Sequence, residues 1–563
     1  MNLKIYLLTI LFFFGVVRLQ AQTNYTEWVK ILESSGETNT LNNVVFDGQD
    51  YILNGFYTGT STFNGQNLTE GMGVDGIITK VTADGDNIWT TTVNGSGINA
   101  FYDMAVDSEN NIVVVGWTST YDVLYVNGNP VFTADGEYYN RGMVMKLSGI
   151  DGSLIWFKAF AATEYQTLTC NRLAIDELDN IYVAGYYSCP FQVDAIEIPY
   201  TKAYGDDLFL LKFDETGTAI WGQYFPAEAD GGYAMIRSIA VNSDAIYFSM
   251  EYSVPLIVNE VSLPHTGDYY WVAIAKASKE TGVVQAINPF GSTGGQAIKQ
   301  LKIDNENNIV AVGFHSSGYS FTIGTTILEG KGQDDGFVCK MNSNLEVMWA
   351  KTMGGEYTDQ AFNVQIDENN NVLIGGGFDC FTDFYYDGES VLNLQNPNSL
   401  SAFYLITDED GNFKQSTGLY GDNVDAILSY SSSYSFTNGN FKEVYCAGNF
   451  NGTVSFIENE PLTVYHNTGY FYKWIIPFVT ISIEESNFNS LLGVYPNPVN
   501  DFLWINPAGN KAKIQIYNSI GMMIYTNEIE NTTPVSMEML PSGNYFVKIF
   551  SDNISQTFKI IKN

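Results

Sequence analysis

A strand-like segment ending in lysine recurs along this chain at almost constant spacing, and that period constrains the fold more than any other feature. "DGIITK" ends at Lys80. Equivalent segments end at Lys146 ("RGMVMK"), Lys212 ("LFLLK"), Lys276 ("VAIAK"), Lys340 ("GFVCK"), Thr407 ("FYLIT") and Lys473 ("YFYK"), in steps of 66, 66, 64, 64, 67 and 66. Repetition at such an interval is the mark of an array of similar structural units.

Two further markers run in phase. Ahead of each slot lies a hairpin signature, such as "AVDSENNIVVVGW", "AIDELDNIYVAGY" and "KIDNENNIVAVGF". Each is an apolar strand, an Asp/Asn-rich turn and a second strand, the chemistry that joins antiparallel neighbours. Trp89, Trp156, Trp221 and Trp349 follow their lysines by nine or ten residues, across turns rich in Gly and Asp. A unit is thus four strands, A to D: A and B form the hairpin, C is the slot strand and D the Trp strand. Repeated four-stranded sheets without helical periodicity predict an all-β, seven-bladed β-propeller. The seventh unit lacks a D strand. Near the N-terminus, "EWVKILESSGETNTLNNVVFD", with Trp28, resembles "NIWTTTVNGSGINAFYDMAVD", with Trp89. The N-terminal strand is therefore expected to complete the last blade, which shields sheet edges that an open array would expose.

The period also disposes of false motifs. "GMGVDG" (71–76) satisfies G-x-G-x-x-G, but it precedes a strand, whereas a dinucleotide turn follows a strand and opens a helix. The matching positions of other units do not keep the pattern. Six lysines at one repeat position suit a shared structural role, with stems along the sheet and ammonium groups reaching solvent or an Asp. "ADGDN" (83–87) and "DEDGN" (408–412) lack the ligand set of a calcium hand and read as C–D turns. No cofactor is evident, and calcium is the one ion the composition leaves open.

The first residues, "MNLK" followed by the 13-residue apolar run "IYLLTILFFFGVV" and "RLQAQ", form a secretory leader, residues 1–21, with cleavage expected between Ala21 and Gln22. The run falls short of the ~20 residues of a membrane-spanning helix. No later segment approaches that length, so no membrane span is expected. Of five cysteines, Cys170 and Cys189 flank the "DELDN" turn and could pair, while small buried thiols in strands are the plainer expectation. The net charge is −36, carried almost wholly by residues 22–490. Such a field argues against nucleic acid as a partner and disfavours polyanionic glycans at long range.

Residues 491–563 break the period and suit a small Ig-like β-sandwich. "YPNPVND" (495–501), "IYNSIGMMIY" (516–525), "LPSGNYFVKI" (540–549) and the terminal "FKIIKN" occur in this order. They resemble the C-terminal sorting domain of type IX secretion cargo from Bacteroidetes, here carried by Tyr495, Pro496, Asn497, Pro498, Gly521, Gly543 and Tyr545. That resemblance implies recognition by the type IX machinery, a secreted or cell-surface location, and attachment to surface lipopolysaccharide in some members. The repeat region is similar to propeller repeats of exported bacterial proteins. The domains are then the leader (1–21), the propeller (22–480), a linker (481–490) and the sorting domain (491–563).

Function is less legible. There are three histidines and no H-E-x-x-H, G-x-S-x-G or Cys/His pair. His315 is the one candidate base, although a polar loop residue is the simpler reading. The B–C segments are long and rich in aromatics, which makes their face the expected ligand surface, carried by Trp117, Tyr121, Tyr186, Tyr187, His315, Tyr319, Tyr385 and Tyr386. The alternative is that these aromatics pack between blades or in small extra hairpins. The leading expectation is a non-catalytic binding or adhesion module for a neutral glycan or a protein. A propeller-type polysaccharide lyase or glycoside hydrolase is the second, to be revived by His, Tyr, Arg or paired acids converging at the axis. A calcium-stabilised scaffold is the third.

Overall fold

The computed structural model describes residues 25–562 except 37–38, 69–70, 135, 137–138, 163–166, 267–268, 292–293, 317–320, 379–382, 394–400, 420–426, 430–433, 436–442, 458–459, 476–491, 496, 508–510, 519–521, 539 and 552–553. The expected leader and its Ala21–Gln22 junction, together with Tyr319, Cys380, Pro496 and Gly521, lie outside the described residues. Strands and turns make up the described chain, and no helix is long and apolar enough to cross a membrane. The chain divides into two compact units, one spanning Asn24–Ile476 and one that includes Pro477–Asn563.

In the larger unit, four-stranded antiparallel sheets follow one another in the order A-B-C-D. The first is Thr40–Phe46, Tyr51–Thr58, Val74–Val81 and Asn87–Asn94, and the next five repeat it. A further sheet pairs Glu443–Ile457 with Glu460–Ile475, and the latter with the N-terminal strand Tyr25–Ser34. Trp28 sits opposite Lys473 in that pairing, as Trp89 sits opposite Lys80 and Trp349 opposite Lys340. The same register identifies Ile406, not Thr407, as the sixth slot. Ile406 faces Gln415, and the C–D bulge follows it as it follows Lys80 and Lys340.

The recurrent lysine is a latch. Lys80 pairs with Asp47 of its own A–B turn at 2.6 Å, Lys146 with Asp107 at 2.7 Å and Lys340 with Asp304 at 2.8 Å. Each ammonium also donates to a carbonyl in the C–D turn of the next sheet: Lys80 to Gly149, Lys146 to Glu215, Lys212 to Lys279, Lys276 to Ser343 and Lys340 to Glu409, at 3.0–3.3 Å. The indoles of Trp89, Trp221 and Trp349 donate to the same carbonyls. Burial alone would raise the Asp304 pKa, but hydrogen bonds from Lys340 and Asn308 hold it below the usual carboxylate range.

Tyrosines complete the circuit. Tyr404 and Tyr472 share a 2.7 Å hydroxyl bond between the sixth sheet and the last, and Tyr445 donates to Ala83 at 3.3 Å between the last sheet and the first. Tyr51 stacks on Tyr445 at 3.8 Å within a core that also takes in Leu53, Ile77 and Phe471. The links run from sheet to sheet and return to the start.

The long B–C segments fold as small hairpins. Three of them, Ser61–Phe63, Val123–Val126 and Asp383–Tyr386, add a strand to the outer D strand of the preceding sheet. This covers an edge that would otherwise offer unpaired backbone groups. Cys170, Cys189, Cys339 and Cys446 are buried thiols, so the Cys170–Cys189 bridge does not form.

The smaller unit is a sandwich of a three-stranded and a four-stranded sheet around Val494, Leu503, Ile514, Ile516, Val547 and Ile560. Asn497, ahead of a cis Pro498, donates to the Lys559 carbonyl and accepts from the Ile561 amide, both at 2.9 Å. Tyr545, nearly buried, donates to Pro541 at 2.7 Å. Tyr495 is partly exposed, and Gly543 opens the Gly543–Ser551 strand.

Candidate functional site

The A strands of six sheets surround a cavity of about 950 Å³ on the axis of the larger unit. Each of these strands carries a bulge at one repeat position. The register shifts between Leu41 and Asn43, Phe101 and Asp103, Cys170 and Arg172, Ile236 and Ser238, Ile298 and Gln300, and Ala361 and Asn363. A bulge inserts one residue and re-aims the side chains around it. Here the extra residues are Asn42, Tyr102, Asn171, Arg237, Lys299 and Phe362.

The bulge explains a glycine in the repeat. Strand B reads "NGF", "VGW", "AGY" and "VGF" at this level. A Cβ on Gly55, Gly116, Gly185 or Gly313 would lie about 2 Å from the A-strand carbonyl beside the bulge, where no side chain fits. The residue after the glycine is consequently fixed beside the bulge, and in four sheets it is aromatic: Phe56, Trp117, Tyr186 and Phe314. Phe56 lines the cavity. The Trp117 indole donates to the Tyr102 hydroxyl at 2.9 Å, and the Lys299 ammonium lies 5.0 Å from the Phe314 ring and 5.6 Å from Phe362. Phe56, together with Trp117 beside the lining Tyr102 and Phe314 beside the lining Lys299, forms what we call the collar, and Tyr186 occupies the equivalent strand position.

Below the collar the wall is polar. Most of its side chains stitch neighbouring sheets together. Asp103 accepts from the Leu173 amide at 3.0 Å and from Asn43 at 2.8 Å; Ser238 accepts from Leu301 at 2.9 Å and Gln300 from Val364 at 2.6 Å. Arg172 donates to the Arg237 carbonyl. Toward the A–B turns the lining becomes apolar, with Phe46, Val106, Ile175, Val241 and Ile303.

The wall is cationic in an acidic protein. Arg172, Arg237, Lys299 and Lys302 line it against one carboxylate, Asp103. Arg237 is neutralised by Glu251 at 2.9 Å and also donates to Tyr233. Lys299 and Lys302 have no carboxylate within ion-pair distance among the described residues. Burial, reinforced by the Arg237 charge, lowers the Lys299 pKa to about 8. Burial lowers that of Lys302 as well, with Asp103 opposing, and raises that of Asp103, with Arg172 opposing.

The aromatics expected at a ligand face separate by strand alternation. Trp117 and Tyr186 stand at the collar. Their neighbours in the chain point the other way. Tyr187 is buried with its hydroxyl on Pro199 at 3.0 Å, and His315, one residue past Phe314, is fully buried against Phe321. Burial lowers the His315 pKa to about 4, so the ring is neutral. Tyr386 is buried and bonds to Gly411 at 2.8 Å. Tyr385 packs under the Lys331 ammonium in an outer hairpin, and Tyr121 lies half-buried in a loop held by Ser96. Periodicity alone did not identify Tyr102, Arg172, Lys299 or Lys302. Their signal was a polar residue at the A-strand positions that an ordinary strand buries.

Two segments of the chain match known families. Residues 493–563 match the model for a secretion system C-terminal sorting domain, and residues 155–186 match a beta-propeller repeat. Ulvan lyase NLR42 of Nonlabens ulvanivorans is 33% identical over 135 residues, which cover 20% of this chain and 24% of that one. An uncharacterized WD repeat-containing protein, L264, of Acanthamoeba polyphaga mimivirus is 23% identical over 394 residues, 62% of this chain and 27% of that one. The chain thus spans about a quarter of the length of these curated relatives. Among solved structures, the plexin A4 extracellular region aligns with a TM-score of 0.37 at 8% identity, over 94% of this chain and 67% of that one. The protein is an all-β propeller with a sorting domain that directs it through type IX secretion to the cell surface or the medium.

Proposed function

We propose that this exported protein is a seven-bladed binding module that receives a saccharide at the collar of its axial cavity. The observation that carries the reading is a set of aromatic rings at the level of the A-strand bulges: Phe56, Tyr102 and Phe362 line a cavity of about 950 Å³, and Trp117 and Phe314 contact the lining residues Tyr102 and Lys299. Aromatic faces with nearby hydroxyl and amide groups suit sugar rings, and pockets of ~300–1,000 Å³ are the common size for small ligands. The count of seven is supported by the Trp28–Lys473 register and by the sheet-to-sheet links that return to the start. Attachment to surface lipopolysaccharide after export belongs to the same proposal.

Binding of an oligosaccharide panel to the full-length mature chain, measured by calorimetry, tests it. Trp117→Ala and Tyr186→Ala should each weaken the best ligand about tenfold or more, while substitutions in the outer hairpins, such as Tyr385→Ala, should leave it unchanged. Equal binding by all three variants would refute the collar as the site.

A second reading, a polysaccharide lyase, draws on the partial likeness to ulvan lyase NLR42 and on Lys299, an amine lowered toward neutrality in the cavity wall. Release of unsaturated oligosaccharides from a polysaccharide panel, lost on Lys299→Met, would support it.

A further inference from the structure

The axial cavity holds two ammonium groups that the fold itself does not use. The latch lysines each have an Asp or a turn carbonyl. Arg237 has Glu251, and Arg172 has the Arg237 carbonyl. Lys302 has no hydrogen bond or ion pair among the described residues, although it lies in the wall beside Asp103. The Asp103 carboxylate is already engaged by the Leu173 amide and by Asn43. Among the described residues, Lys299 has the rings of Phe314 and Phe362 and no hydrogen bond or ion pair.

Both ammonium groups are half-buried in the cavity wall, and a cation drawn partly out of water is ordinarily paired. Two in one cavity, beside two arginines, describe a site built for negative charge. The acidic surface does not prevent this. Charges in a confined, low-dielectric cleft act far more strongly at short range than screened surface charges do.

Resting on the saccharide reading above, we propose that the ligand is an acidic saccharide, with a carboxylate or sulfate group that descends past the collar onto Lys302, Lys299 and Arg172 while the sugar rings lie against Trp117 and Tyr186. The ligand enters from the collar end. At the opposite end the lining is apolar. This revises the neutral ligand that net charge alone suggests.

The test compares glucuronate, inorganic sulfate, glucose and chloride at matched ionic strength, using thermal shift and calorimetry on the full-length mature chain. Glucuronate or sulfate should raise the melting temperature, and glucose and chloride should not. Which of the two anions binds more tightly, in free form and on oligosaccharides, distinguishes a carboxylated from a sulfated ligand. Lys302→Met keeps the stem and removes the charge. It should weaken anion binding about tenfold or more, and raise the melting temperature without anion because an unpaired, half-buried charge has gone. Lys299→Met should act in the same direction, and circular dichroism checks that both variants fold. A chloride shift equal to that of the anions, or wild-type affinity in Lys302→Met, would overturn the proposal. A fall in melting temperature for Lys302→Met without anion would also overturn it, since the ammonium would then be structural. Collar variants that lose a neutral sugar while Lys302→Met does not would leave the saccharide module standing and remove the acidic ligand. Anion binding that needs Lys302 but ignores Trp117 and Tyr186 would keep the anion site and remove the saccharide.

Discussion

Trp28, near the start of the described chain, stands directly opposite Lys473, near the end of the larger unit, across an antiparallel pair. Its ring lies 5.1 Å from Phe471 and 6.1 Å from Tyr445. The first and last strands of the larger unit thus share one sheet.

Removing that indole should be felt globally. Trp28→Ala should destabilise the larger unit by about 2 kcal/mol, less than the cost of truncating a fully buried aromatic because Trp28 is partly exposed. Urea unfolding followed by tryptophan-independent far-ultraviolet dichroism measures it. A loss below about 0.5 kcal/mol would mean the closing strand is dispensable.

The lysine latches should differ in a predictable way. Lys340→Met strands Asp304, which is buried, and should cost about 3–5 kcal/mol. Among the described residues Lys276 has the Ser343 carbonyl and the Tyr247 ring but no carboxylate, because its A–B turn carries Asn242 in place of Asp. Lys276→Met should cost about 1–2 kcal/mol. Equal losses in denaturant titrations would deny the carboxylate its part.

Acid should act through His315. Its folded pKa of about 4 lies below the ordinary value of 6.5. The neutral, buried ring therefore contributes stability that is fully present above pH ~6.5 and lost as pH falls through about 4. His315→Phe should flatten the melting profile between those limits, which a pH series of melting temperatures will show.

Base should act through Lys299. With a pKa of about 8, set by burial and Arg237 and opposed by Glu251, it is protonated at neutral pH and neutral well above it. Affinity for an anion should fall as pH rises through about 8, while the stability of the unliganded protein rises across the interval up to its ordinary value near 10.5. Lys299→Met should remove both trends. Calorimetry across this range checks the first and melting curves the second.

In the sorting unit, Asn497 ties the "YPNP" turn to the final strand through two backbone groups. Asn497→Ala should loosen that strand by about 1–2 kcal/mol and lower the amount of protein exported. Fractionation of cells and medium reads the outcome.

The fold was legible because its signals repeat. Lysine, tryptophan and the Asp/Asn turn each recur in phase, so one ambiguous unit is corrected by its neighbours, and the sorting motif is dense in Pro, Asn and Gly. The slip at Thr407 shows the limit, since Ile406 and its neighbour look alike without the register that places one opposite Gln415. The site was harder to read. Strand alternation separates Tyr186 from Tyr187 and Phe314 from His315, and a list of loop aromatics cannot tell such neighbours apart. The cavity lysines were hidden by arithmetic, because a few inward cations vanish within a net charge of −36.

The inner-strand bulge has an evolutionary corollary. An inserted residue belongs to neither alternating face of its sheet, so exchanging it disturbs no hydrophobic layer. Asn42, Tyr102, Asn171, Arg237, Lys299 and Phe362 occupy one structural position with six different chemistries or settings. A lineage carrying this scaffold can rewrite what it recognises at those inserted positions whose side chains do not tie neighbouring sheets, as Asn42 and Asn171 do through the Phe101 and Ile236 carbonyls.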